Sequence, residues 1–409
     1  MLDRLTIERM MAWTGDRPVL IALSGGGDSV ALIHLLAAEL GAARLRAVIV
    51  DHALREGSAE DARRAQGFAA PLGVSAEILT LSWAEGENRA QQAAREGRYR
   101  AICGYARAQG LNTIAAAHTA DDQAETVMMR AAAGSTWRGL AGIAPFAFAP
   151  LWPEGRGIAL ARPLLGARRE DLRAYLRAQR ADWIEDPANE NPKHERVRVR
   201  QILRALPSFD PMRLVRVAAR LRVRSDALDA AAFELLSRAA TVGYVSAIRH
   251  ADWAAPREVR RRALQVLMAA VSGASREPPW SEMETLERRV TRHGHRGSTH
   301  SGVDFTPGTH GIVLLRELGA VLGRRDGAPP LAPLRLASNE EAVWDGRLAV
   351  TAPDSGWCVV PAQNGELVAF EKGAVRLQYQ QAKARLKLRP LAAERVAHAF
   401  APDINRAKP

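Results

Sequence analysis

The first half of the chain alternates between two hydrophobic patterns. Short apolar runs of strand length, "VLIALS" (19–24), "LRAVIVDHAL" (45–54), "SAEILTLSW" (75–83) and "LNTIAAAH" (111–118), punctuate it. Between and after them, apolar residues recur at helical spacing in "DSVALIHLLAAEL" (28–40), "SAEDARRAQGFAAPL" (58–72), a long segment beginning near Asn88, and "ADDQAETVMMRAAA" (120–133). Asp28 and Ser29 suit a helix start. Strand and helix in strict turn predict a parallel sheet covered on both faces. Ligands of such sheets bind beyond the carboxyl ends of the strands. Ser24 to Ser29, Asp51, His52 and His118 to Glu125 all fall there.

After about Pro207 the pattern changes. Residues 210–240 read as a basic helix, with further helices near Pro256–Val271 and Trp280–Arg292. "GVDFTPGTHGIVLLREL" (302–318) reads as a hairpin around Pro-Gly, and "GAPPLAPL" (327–334) as a linker. Short strands and a basic tail follow. The expected class is α/β: a Rossmann-like parallel-sheet domain over 1–207, a mainly helical basic domain over 208–328, and a small α+β or β region over 329–409. No internal repeat is present.

Composition narrows the class of partner. The 409 residues carry a formal net charge of +12 and only five lysines. Between Arg196 and Ser225 lie nine arginines (Arg196, Arg198, Arg200, Arg204, Arg213, Arg216, Arg220, Arg222 and Arg224) against one acid, Asp210. A solvated helix face normally mixes signs, so the cluster points to a polyanion. No run reaches the ~20 apolar residues of a membrane span, and the first residues lack a signal-peptide core; a cytoplasmic protein is expected. Cys103 and Cys358 match no metal or redox spacing and are expected to fill apolar space.

The most informative short motif is "SGGGDS", Ser24 to Ser29. Gly25, Gly26 and Gly27 let the backbone turn tightly and approach phosphate oxygens. The following helix offers free N–H groups and the positive end of its dipole. The commonest phosphate loop ends in Gly-Lys-Ser/Thr; here an acid, Asp28, stands instead. A carboxylate at that point suits Mg²⁺ bridging a pyrophosphate. Further along, Asp122 and Glu125 are three apart and share a helix face.

"SGGGDS" is similar to the loop of enzymes that split ATP between the α and β phosphates. "VDHALREGS" (50–58), "AAREGRYR" (93–100), "AAHTADDQAET" (116–126), "ARPLLGARREDLRAYL" (161–176) and "EDPANENPKHERVRVR" (185–200) follow in order. Together they resemble the tRNA(Ile)-lysidine synthetase family, strongly over about residues 15 to 205. The resemblance implies an adenine nucleotide alpha hydrolase-like fold and a two-step reaction. The C2 oxygen of cytidine 34 in a CAU anticodon attacks the α-phosphate of ATP and diphosphate leaves. The ε-amine of free L-lysine then attacks C2, AMP leaves, and the product is lysidine. The tRNA thereby changes from methionine to isoleucine identity and reads AUA instead of AUG.

On this resemblance, ATP would meet Ser24, Gly25, Gly26, Gly27, Asp28, Ser29, His52 and His118. Asp122 and Glu125 would hold lysine, one fixing the ammonium and the other taking its proton. Mg²⁺ would lie on Asp28 with Asp121 as the second candidate. Arg196 and Arg200 would neutralise charge at the α-phosphate. Arg95, Arg98, Arg196, Arg200, Arg213, Arg216 and Arg220 would meet tRNA(Ile). Trp137 and Trp183 either stack a base or pack, and His34 packs. A homodimer is one assembly that the resemblance allows. Three positions depart from the family pattern: Thr119 replaces a second histidine, Ala133 an arginine (with Arg138 as a displaced alternative), and Val197 an asparagine. The rival readings are a tRNA thiolase, which needs reactive cysteines, and a tRNA-binding protein with a decayed ATP site.

Overall fold

The computed structural model describes residues 1–83, 91–185, 195–205, 210–238, 240–242, 245–292, 294–324, 327–361, 367–371, 375–377, 385–400 and 402. The helix start expected near Asn88, and 186–194 of the last family-like segment, lie outside the described residues. The chain packs as two compact units, Met1–Ala227 and Leu228–Phe400.

The first unit is built on a six-stranded sheet. Its strands are β1 (Val19–Ala22), β2 (Leu45–Asp51), β3 (Ser75–Thr80), β4 (Thr113–Ala115), β5 (Phe146–Phe148) and β6 (Ala159–Ala161), in the order β3-β2-β1-β4-β6-β5. All neighbours run parallel except β5, which is antiparallel to β6 at the edge. Side chains alternate across the sheet as the strand period demands. Val19, Ile21, Leu45, Ala47 and Ile49 enter one apolar cluster, while Leu20, Val48 and Ile114 enter another. The first cluster is closed by α1 (Arg4–Thr14), α2 (Gly27–Leu40), α3 (Ser58–Gly67) and α7 (Arg169–Ala178), through Met10, Ile33, Leu36, Ala65, Leu172 and Leu176. The second is closed by α4 (Gln91–Ala108), through Ile102, Cys103 and Ala106. Burial on both faces explains why β1, β4 and β6 lack polar alternation, whereas β3 exposes Ser75, Glu77 and Thr80.

Strand order reverses between β1 and β4. The chain steps outward from β1 to β2 and β3, then returns to β4 on the other side. The loop after β1 and the start of α5 (Ala120–Ala132) after β4 therefore open side by side, the usual crevice of such sheets. Helix α8 (Glu195–Ala205) packs on α5. Val197 of α8 is buried, which accounts for an apolar residue where the family pattern has asparagine. The basic segment forms one long helix, α9 (Met212–Ser237), whose residues to Ala227 belong to the first unit.

In the second unit, α10 (Arg257–Ser272) and α11 (Trp280–Val290) pack on a five-stranded sheet through Leu264, Met268, Met283, Leu286, Phe305 and Leu314. The expected hairpin is β10 (Val303–Pro307) with β11 (Gly311–Arg316), paired from Val303–Arg316 to Pro307–Ile312. β8 (Val245–Arg249) adds to β11, β7 (Ala240–Val242) to β8 and β9 (Ser298–His300) to β10, strands too short for their period to stand out in sequence. Two smaller antiparallel sheets follow, around Trp344, Leu348 and Trp357. Among the described residues no helix is long and apolar enough to cross a membrane.

Candidate active site

The turn after β1 is braced from within. Ser29 Oγ accepts from the Ser24 amide and hydroxyl, each at 3.1 Å, and donates to the Gly26 carbonyl at 2.9 Å. Both serines thus shape the loop. Gly25 has φ +82°, and a Cβ there would stand 2.7 Å from Ile184 Cδ1 and 2.9 Å from Ala65 Cβ. Its carbonyl accepts from the Ile184 amide at 2.9 Å. Gly26 precedes α2 in an extended conformation, with its nearest potential Cβ contact at 3.7 Å. Among the described residues, the Gly26, Gly27 and Asp28 amides have no hydrogen-bond acceptor. The loop therefore presents clustered donors and dipole charge toward the crevice.

Beside it, the start of α5 gathers acids. Thr119 caps this helix: its amide and hydroxyl donate to Asp122 Oδ2 at 2.8 and 3.0 Å, and its hydroxyl accepts from the Asp122 amide at 3.4 Å. That reciprocal cap gives threonine a structural purpose where the family pattern has histidine. Glu125 is only 2% exposed in its side chain, yet Arg196 Nε and Arg200 Nε donate to it at 2.8 and 2.7 Å.

At the centre stands Arg169, the first residue of α7. Its Nε donates to Asp28 Oδ2 at 3.0 Å and its Nη2 to Asp122 Oδ1 at 3.1 Å; its Nη1 lies 3.7 Å from Glu125 Oε1. Its backbone amide donates to Asp121 Oδ2 at 2.8 Å. Three of the acids singled out in the sequence, Asp28, Asp122 and Glu125, thus meet around one guanidinium, and Asp121 is held by the backbone amide of the same residue. Burial works against the charged form of Asp122, but Arg196 and then Arg169 outweigh it and hold this carboxyl below its ordinary range. At Asp28 burial wins despite Arg169, and the carboxyl is pushed up. Both directions follow from the balance of desolvation against neighbouring charge.

Two histidines line the next strand ends. Burial, reinforced by Arg162, lowers His118 to about 3, so its ring is neutral near pH 7. Its Nδ1 has no hydrogen-bond partner among the described residues, nor has Nδ1 of His52. Burial and Arg98 lower His52 in turn. A neutral imidazole brings no positive charge to a phosphate but can pair with a polar edge of a base or ribose. Arg95 and Arg98 each lie 5.4 Å from the Tyr99 ring centroid, with Arg95 exposed and Arg98 half-buried.

Arg213, Arg216 and Arg220 are exposed along α9 and touch none of the four acids; Arg216 Nη2 lies 3.6 Å from Asp210. The Trp137 ring lies under Arg224, 4.3 Å from guanidinium to centroid, so it is occupied within the protein. Trp183 flanks the loop: a Cβ on Gly27 would stand 3.5 Å from its ring. His34 is half-buried within α2. Cys103 is buried, which pushes its thiol up to about 12, and Cys358 lies in the other unit. The burial of Cys103 does not suit thiolate chemistry.

Sequence reasoning missed Arg169. A signal was present, because arginine in the first turn of a helix opposes the dipole and is favoured only with acids nearby.

The comparisons with known proteins agree with this geometry. A family model described as a PP-loop domain matches residues 3–206. The tRNA(Ile)-lysidine synthase of Hyphomonas neptunium is 36% identical over 83% of this chain and 90% of its own length. Those of Ruegeria pomeroyi and Mesorhizobium japonicum are 34% and 35% identical, over 87% and 85% of this chain and 80% and 75% of theirs. With its PP-loop domain and its likeness to these relatives over most of their length, the chain belongs to the tRNA(Ile)-lysidine synthase family.

Proposed function

We propose that this chain is an ATP-dependent ligase that joins free L-lysine to C2 of cytidine 34 in the CAU anticodon of tRNA(Ile), releasing diphosphate and AMP. The observation that carries the reading is the meeting of the loop acid Asp28 with Asp122 and Glu125 in one ion-pair network. A loop suited to pyrophosphate and a carboxylate pair suited to an ammonium thus share one crevice. That is the requirement for transferring an amine to an adenylated base.

In the first step the cytidine oxygen forms a bond to the α-phosphorus and the bond to diphosphate breaks. The amides of Gly26, Gly27 and Asp28 hold the departing phosphates at the start of α2. In the second, the lysine ε-amine bonds to C2, loses a proton, and the C2–oxygen bond to AMP breaks. Asp122 and Glu125 orient the amine and accept the proton. Arg196 and Arg200 offset negative charge on the phosphate being transferred. Neutral His118 and His52 contact the nucleoside portions.

The residues fit Mg²⁺. This ion takes one or two carboxylates and completes its shell with substrate phosphates and water. Asp28 and Asp121 are such donors, and one Asp121 oxygen is already fixed by the Arg169 amide. Phosphate oxygens and water would supply the rest of the shell. When bound, the ion would supply charge neutralisation to the leaving diphosphate.

The exposed arginines of α9, at positions 213, 216, 220 and 224, form a stripe at three- and four-residue spacing that suits a phosphate backbone. We assign 1–207 to catalysis, 208–328 to tRNA binding and 329–409 to a reduced acceptor-arm-binding region, in a cytoplasmic enzyme, with a homodimer as the assembly to test by sedimentation. Labelled lysine should enter only the CAU-anticodon tRNA(Ile), with one AMP formed per lysine. Equal labelling of initiator methionine tRNA would contradict the specificity. Incorporation of sulfur would favour a thiolase, and binding without AMP release a non-enzyme.

A further inference from the structure

Arg169 stands among Asp28, Asp122 and Glu125. Its three side-chain nitrogens are committed to Asp28, Asp122 and Glu125, at 3.0, 3.1 and 3.7 Å. The last two are the pair assigned above to the lysine ammonium, so the inference rests on that reading. Four acids (Asp28, Asp121, Asp122, Glu125) face three arginines (Arg169, Arg196, Arg200), leaving one net negative charge. With Arg169 in place, little attraction remains for an incoming ammonium.

The three arginines are not equivalent. Arg196 and Arg200 come from α8 and hold Glu125 at 2.8 and 2.7 Å. Arg169 makes the longest approach to Glu125, and it alone also touches Asp28, beside the amides that face the phosphates. A guanidinium moving from carboxylate to phosphate keeps an anionic, fork-matched partner.

We propose that Arg169 is a positioning residue that acts as an exchangeable counter-ion. Without ATP it sits in the cation position of the Asp122–Glu125 pair; ATP phosphates draw it away and open that pair to lysine. ATP then precedes lysine, and each tightens the other by the same factor.

Calorimetric titration of L-lysine into the full chain tests this, with and without magnesium and the α,β-methylene analogue of ATP. In the wild type, lysine should bind about tenfold or more tighter with the analogue. Arg169→Gln should bind lysine about tenfold tighter than the wild type when ATP is absent, and bind the analogue more weakly. A merely architectural arginine predicts the opposite sign for lysine. Arg169→Lys, a point charge without the planar fork, should fall between. If thermal melts show that neither variant folds, the wild-type titration decides: equal lysine affinity with and without analogue overturns the exchange. Failure to transfer lysine at all would overturn the proposed function; transfer without coupling would overturn only the role of Arg169.

Discussion

Replacing Gly25 by alanine should damage the loop in a way that replacing Gly26 does not. Gly25 has φ +82°, and its added Cβ would meet Ile184 Cδ1 at 2.7 Å and Ala65 Cβ at 2.9 Å. The left-handed conformation costs a non-glycine residue about 1–2 kcal/mol. Overpacking against the buried Ala65 and the half-buried Ile184 adds about 1–3 kcal/mol. The sum, about 2–5 kcal/mol, lowers the melting temperature by roughly 4–20 °C for a unit of this size. A shift of the loop would relieve the strain only by moving the amides of Gly26 to Asp28, and so would weaken ATP binding instead. Gly26→Ala is the contrast. Its Cβ would find nothing nearer than 3.7 Å, so the fold should be nearly unchanged. The methyl group would project into space that the phosphates need, and nucleotide affinity should fall about tenfold or more. Differential scanning fluorimetry and nucleotide titration on the two variants read both quantities. Wild-type melting and wild-type ATP affinity in Gly25→Ala would refute the reasoning.

Three further outcomes follow from the same geometry. Glu125→Gln should keep ATP binding and slow lysine transfer by ~10²–10⁴, measured as lysine-dependent AMP formation; normal turnover would remove Glu125 from the proton path. Changing Arg213, Arg216 and Arg220 together to glutamine should leave melting unchanged, weaken tRNA binding, and reduce the salt slope by about one per arginine; an unaltered slope would leave that face without a tRNA role. His118 is held neutral in the fold, with its pKa lowered from 6.5 to about 3. Below pH 6.5 the unfolded chain binds a proton that the fold refuses, so this contribution is full above 6.5 and lost progressively as pH falls toward 3. Urea unfolding should show a loss on the order of 2 kcal/mol between pH 6.5 and 5 that His118→Gln lacks; equal pH dependence in both proteins would sink it.

What was legible in sequence was local. The apolar runs announced β1, β2 and β4 because these parallel strands are largely buried on both faces. Asp122 and Glu125 could be paired because three residues apart on a helix is a neighbour relation. Thr119 and Asp122 fall at capping-box spacing, though the cap itself emerged only with the structure. Arg169 could not be matched to its acids for the opposite reason. It lies 141 residues from Asp28 and 47 from Asp122, and no period links such positions. The bonds of the Ser29 hydroxyl to Ser24 and to the Gly26 carbonyl likewise appear only in the folded loop.

By itself, the sequence determined the succession of strands and helices, the turn in which Asp28 stands where a lysine is usual, and the excess of arginine beyond residue 195. Those are properties of neighbouring residues, fixed by side-chain size, backbone freedom and charge. Only the tertiary structure decided that β4 lies beside β1, so that two turns separated by ninety residues of chain face one crevice. The same packing sets α7 against α2 and α8 against α5. Distant charges become partners there because burial strips away the water that would otherwise screen them.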